Sequence, residues 1–168
     1  ERLSAKGSIA DLALSIESLA PAIDRLHEHL QNKRSAIPAV GGHHTVVMGP
    51  ELAGILAHEA MGHPCEADLV LGGAVTGDLV GERVASDLIT MVDFAHTFDG
   101  EETMVPVYAD DEGVPARDAV LIERGILREF MSSRETAARL GIAPSGSARA
   151  FLPDDEPLVR MRNTAILP

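Results

Sequence analysis

Residues 55–68 read ILAHEAMGHPCEAD, with His58 and His63 in the middle and Glu59 directly after the first histidine. Zinc hydrolysis needs neutral imidazole ligands, an open coordination position for water and a base to take the water's proton. The familiar helical arrangement, H-E-x-x-H, sets its histidines about 40° apart on one helix face. Here the two histidines are five residues apart and Pro64 follows. On a regular α-helix that spacing separates them by about 140°, too far to share an ion. One extra residue absorbed as a π-bulge brings them back to about 50°. Gly62 makes the distortion cheap, and Pro64 biases His63 away from α geometry. The stretch therefore predicts a helix bulged or broken at Gly62–Pro64, with both imidazoles turned to one side.

The neighbours of the pair extend the reading. Leu52, Ile55 and Leu56 form an apolar stripe that continues to position 59, which puts Glu59 on the face expected to be buried. A buried glutamate needs a partner, and a place beside a metal-activated water, as general base, supplies one. The bland alternative is a structural histidine pair with a surface glutamate. Cys65 is soft enough to ligate zinc, but across Pro64 it reads more readily as a small buried residue. Glu66 and Asp68 stand where a carboxylate can fix an imidazole tautomer, or else form a solvated acidic turn. His43, His44 and His96 read as loop or strand-end residues. No role is assigned to His27 and His29.

Outward from this stretch, Gly49-Pro50 opens the helix, proline at the first turn and Glu51 beside it. Before it, "HTVVMG" (44–49) reads as a short strand and "KRSAIPAVGGHH" (33–44) as a loop. Residues 8–33 read as helix, because Ile9, Leu12, Ile16, Leu19, Ile23, Leu26 and Leu30 recur at gaps of three and four. Pro21 predicts a kink or two consecutive helices. The stripe is either a coiled-coil seam that builds a dimer or a face packed on its own domain.

The second half is richer in strands. "LGGAVTGDLVG" (71–81) is loop, "ERVASDLITMVDFA" (82–95) one or two strands, and "FDGEE" (98–102) a turn. "MVPVYADDEGVP" (104–115) predicts a strand entering an acidic turn. "RDAVLIERGILREFM" (117–131) predicts a hairpin turning at Glu123-Arg124-Gly125. "SSRETAARLG" predicts a short helix with a capping box from Ser132 to Glu135 and a stop at Gly141. After a loop over 142–157, "LVRMRNTAIL" (158–167) is a final strand. The fold class is α+β: an N-terminal helix or helix pair over 1–36, then an α+β segment over 37–168. The latter holds the metal-site helix and a mixed or antiparallel strand-rich half.

Composition narrows the function. The 168 residues carry 45% hydrophobic but only 3% aromatic side chains and no Trp, so Leu, Ile, Val, Ala and Met must fill the core. A net charge of −12 argues against nucleic-acid backbones and anionic membrane surfaces. The single cysteine leaves no internal disulfide and suits a reducing compartment. No run approaches a membrane span, and no signal-peptide layout appears. A first residue other than Met suggests a piece of a longer protein.

Four blocks occur in an order that resembles one family: "VVMGPELAGILAHEAMGHPCEAD", "YADDEGVPARDAVLIERGILREFM", "SRETAARLGIAPSGSAR" and "PLVRMRNTAILP". They are similar to the TldD/PmbA metallopeptidases, historically called modulators of DNA gyrase, over about residues 38–168. The resemblance implies a cytoplasmic, zinc-dependent peptidase that acts on small or unfolded peptides held as extended strands. It implies His58 and His63 as metal ligands and Glu59 as catalytic base. The intact H-E-x-x-x-H places the chain with the TldD-like type, which forms homodimers or pairs with a PmbA-like subunit that has lost the motif. Family members are more than twice this long, so the fold here is incomplete relative to them. Their third ligand is a cysteine in a following C-terminal part, which Cys65 does not match. The alternative is a non-catalytic scaffold that binds a peptide or partner and dimerises through the first helix.

Overall fold

The computed structural model describes Ser8 and residues 15–167, and divides the chain into two compact units, Glu1–Val46 and Val47–Pro168. Residues 36–49 carry no regular element after the first helix ends. The first unit is built around helix α1, Ile16–Arg34. Ser15 caps it, its hydroxyl accepting from the Ser18 N–H while the Ser18 hydroxyl accepts from the Ser15 N–H. That reciprocal cap opens α1 at Ile16. Pro21 then lies inside one continuous helix, where two consecutive helices were the alternative. Ile9 and Leu12 of the expected stripe lie outside the described residues.

In the second unit, α2 (Pro50–Leu56) starts at the Gly49 cap with proline in its first turn. It runs into a π-helical turn, Ala57–Gly62, and a 3-10 turn, His63–Cys65. Helix α3 (Ala67–Leu71) follows at once. The central sheet has the order β5-β4-β1-β8, antiparallel throughout. Its strands are β1 (Thr90–Phe94), β4 (Ala119–Glu123), β5 (Ile126–Leu127) and β8 (Asn163–Leu167). In register, Met91 faces Ile122 on one side and Ile166 on the other. Two short hairpin pairs flank the sheet: β2 (Thr97–Phe98) with β3 (Glu101–Glu102), and β6 (Ala148–Arg149) with β7 (Leu158–Val159). Helix α4 (Arg134–Leu140) completes an α+β fold.

The hairpin expected at Glu123-Arg124-Gly125 forms between β4 and β5. Arg124 and Gly125 have φ of 48° and 81°, the left-handed pair of a tight turn. A side chain at Gly125 would meet the Ala85 carbonyl at 2.4 Å, so glycine is required for space as well. Met91, Leu121, Ile122, Leu127, Met131 and Val159 are fully buried, a core of aliphatic and sulfur side chains as the composition demands.

Several elements differ from expectation. Residues 44–49 form no strand: Val46 and Val47 are exposed, with no ladder to give their β-branching a partner. Residues 104–115 also form no continuous strand; one bridge, Ala109 to Pro115, closes the acidic turn. There the Asp110 carboxylate accepts the N–H groups of Glu112 and Val114, which favours a loop over a ladder. Helix α4 is capped by Ser133 with Thr136 rather than Ser132 with Glu135. Ser132 is buried, and its hydroxyl serves the loop residues Ala143 and Ser145 instead. The segment read as one loop contains β6, and the single final strand is two, β7 and β8, with Met161 and Arg162 in the link between them. Among the described residues, no helix is long and apolar enough to cross a membrane.

Candidate metal centre

The extra residue between the histidines is absorbed as the π turn. His63 N–H donates to the His58 carbonyl, an i to i−5 bond that ties the two residues through the backbone. Their rings meet edge-on, with centroids 4.6 Å apart and planes at 79°. One donor atom each from His58, Glu59 and His63 lies within 4.8 Å of the others, and His63 Nε2 is 4.0 Å from Glu59 Oε2. Among the described residues this is the group of His, Cys, Asp and Glu side chains close enough to share an ion. The nitrogen and oxygen donors are of the kinds zinc takes.

His63 itself is α-helical (φ −57°, ψ −47°), against the bias expected from Pro64. The chain tightens into the 3-10 turn there, so Pro64 occupies an early-turn position where no N–H is needed. The Thr76 hydroxyl donates to the Pro64 carbonyl and holds this turn from the neighbouring loop. Gly62 sits tightly: a Cβ there would lie 2.1 Å from Met161 Sδ and 3.1 Å from the Ala57 carbonyl, so any larger residue would displace Met161.

Glu59 corrects the buried-face expectation. Its side chain is 66% exposed, and Leu52, Ile55 and Leu56 are exposed with it. Helix α2 and the π turn pack on β8, and their covered side carries the small residues Ala53, Gly54, Ala57 and Gly62. Small side chains allow close approach to the sheet, which decides the docking face against the larger stripe. The exposed carboxylate is open to solvent beside the imidazoles.

Glu66 is where a tautomer-fixing carboxylate would stand. It is 1% exposed; Oε2 lies 3.0 Å from His63 Nδ1, and Oε1 accepts the Met161 N–H at 3.3 Å. With Nδ1 donating to Glu66, Nε2 is the nitrogen left to face Glu59 and His58. Asp68 does not join it. Its carboxylate accepts from Leu69 N–H and Val159 N–H and lies 3.9 Å from Arg160 Nη1, so it braces β7 rather than an imidazole. Cys65 is fully buried in the core, and burial pushes its thiol up to about 12. It stands outside the cluster. His43 and His44 are exposed in coil, and the His96 ring stacks on Tyr108.

The supports from Thr76 and Met161 were not visible in the sequence, since they come from 12 and 95 residues along the chain. A third long-range support is Arg162. Its five N–H donors all have acceptors: Asp93 Oδ2, the Asp93 and Arg117 carbonyls, and the carbonyls of Ser145 and Gly146. This buried ion pair fixes the link that carries Met161 to Glu66.

Residues 41–168 match the PmbA/TldA metallopeptidase C-terminal domain. The chain belongs to the PmbA/TldD family. It is similar to a metalloprotease of Methanothermobacter thermautotrophicus, 44% identical over 135 residues, which are 79% of this chain and 28% of that protein. It is also 37% identical over 143 residues to a zinc metalloprotease TldD homolog of Saccharolobus solfataricus, covering 85% of this chain and 32% of that one. The solved structure of TldE from Thermococcus kodakarensis superposes with a TM-score of 0.58 at 26% identity, over 69% of this chain and 26% of TldE. This PmbA/TldD chain thus spans under a third of the length of these relatives.

Proposed function

We propose that this chain carries the metal-binding core of a TldD-type zinc metallopeptidase, with His58 and His63 as ligands and Glu59 as general base. The observation that supports it most is the π turn, which puts donors of His58, Glu59 and His63 within 4.8 Å of one another. Bound there, zinc would supply Lewis acidity toward a peptide carbonyl and make a nucleophile of water at neutral pH. Glu59, exposed beside His63, takes a proton from the attacking water and hands it to the departing amine nitrogen. Glu66 holds His63 in the tautomer that presents Nε2. The proposed substrate is a small or unfolded peptide, laid as an extended strand along β8, the terminal strand of the sheet beside the π turn.

Metal analysis tests the ligands. The wild-type chain is expected to carry near-stoichiometric zinc, and His58→Ala to lose it. Equal trace metal in both would remove the site reading for this 168-residue chain. In the full-length protein, Glu59→Gln is expected to abolish cleavage of casein-derived peptides while zinc content is kept. Undiminished cleavage would remove Glu59 from the mechanism.

A further inference from the structure

The central sheet has two unlike faces. Between β1 and β8, Met91 pairs with Ile166, Val92 with Ala165, and Phe94 with Asn163. Successive side chains of a strand alternate between faces, so Met91 and Ile166 share one face, and Phe94, Asn163 and Ala165 the other. Met91 belongs to the core that also takes in Ala57 and Met161, and Ile166 packs against it. The π turn, which contains Ala57, therefore lies on the Met91 face. The opposite face carries a cavity with no part in binding the metal.

That cavity measures about 330 Å³, and its apolar walls are Phe94, Phe98, Met104 and Ala165, all within the second unit. The Phe94 and Phe98 rings lie 4.8 Å apart, tilted by 51°. They are two of the chain's four phenylalanines. The Asn163 amide donates to the Phe94 and Val105 carbonyls, and its oxygen accepts the Val105 N–H, which anchors the segment carrying Met104. The charged residues of the lining, Glu101 and Glu102, are both acidic. Such a lining takes an uncharged apolar group and refuses a carboxylate. The cavity and the π turn also address the same end of β8. Gly62 packs on Met161, just ahead of Asn163, and the cavity reaches from Asn163 to Ala165. An extended peptide beside β8 turns alternate side chains to opposite faces. A side chain directed away from the π turn is thereby directed to the cavity.

We propose that this cavity is a substrate subsite, which receives a phenylalanine or leucine side chain of the peptide near the bond that is cut. The subsite rests on the peptidase reading and adds a side-chain preference to it. In the full-length protein, kcat/KM is measured for peptides that carry Phe, Leu, Ala, Lys or Asp at one position at a time around the scissile bond. One position is expected to favour Phe and Leu over Ala on the order of 10–100-fold, and to disfavour Asp. Phe98→Ala is expected to shrink that ratio to about threefold or less with zinc content kept. Phe151→Ala, at a phenylalanine away from the cavity, is expected to leave the ratio unchanged. Met104 lies outside the buried core, and Met104→Glu is expected to move the preference from Phe to Lys, a reversal that misfolding does not produce. A wild type that cleaves the whole series alike overturns the subsite and leaves the peptidase reading standing. So does a wild-type preference for Asp or Lys, or a Phe preference that Phe98→Ala and Met104→Glu leave intact. A protein that holds no zinc and cleaves no member of the series overturns both.

Discussion

Glu66 is a buried carboxylate whose partners are one imidazole N–H and one backbone N–H. A charge held in so little polar company is costly unless its neighbours need it, and here His63 does. Glu66→Gln keeps the size and an acceptor but removes the charge that makes the imidazole a better donor to metal. Zinc affinity, read by chelator competition, is expected to fall roughly 10–100-fold while the fold persists. Glu66→Ala should add a stability loss of about 1–3 kcal/mol in urea melts, because the Met161 N–H loses its acceptor. At this scale the sequence was informative only in part. Residue type and spacing placed Glu66 near an imidazole, since three residues along a turn is a local matter. The same logic applied to Asp68 led the wrong way, because its partners, Val159 and Arg160, approach from a distant segment.

At the scale of elements, the π turn decides the site, and its packing against Met161 decides its stability. Gly62→Ala offers a direct measure. Helix propensity alone would favour alanine by about 1 kcal/mol, but the new methyl would collide with Met161 Sδ and press on the Ala57 carbonyl. Overpacking of this kind costs about 1–3 kcal/mol, so a net loss in chemical denaturation is expected. Combined with Met161→Ala, the loss should be smaller than the sum of the two single losses. The bulge was legible because it follows from angular geometry between residues five apart. The proline-opened helix and the β4–β5 turn were legible for the same reason, being set by chemistry within a few positions. Which side of α2 meets the sheet was not. Periodicity identified the large apolar stripe, whereas the fold covers the small residues opposite, burying Ala57 and Gly62 and half-burying Ala53 and Gly54, and leaves Leu52, Ile55 and Leu56 exposed. Close approach, which needs small side chains, outweighed their hydrophobic area.

For the whole second unit, the buried pair of Asp93 and Arg162 joins β1 to the link between β7 and β8, and to the loops at Arg117 and Ser145. Asp93 also accepts from the Asn163 N–H and the Thr164 hydroxyl, so neither partner retains an idle polar group. Arg162→Met should leave an uncompensated carboxylate in the interior and lower the stability of the unit by roughly 3–5 kcal/mol in urea unfolding. Nothing in the sequence joined residues 93 and 162; such a pairing is set by strand topology. The same topology has a consequence for timing during synthesis. The Met161 N–H that holds Glu66 lies 95 residues downstream of it. At roughly 5–20 residues per second, on the order of 5–20 s pass between the ribosome's addition of the two. Until then the histidine pair leaves the exit tunnel without its brace, and an ion arriving early would meet imidazoles whose orientation is not yet set.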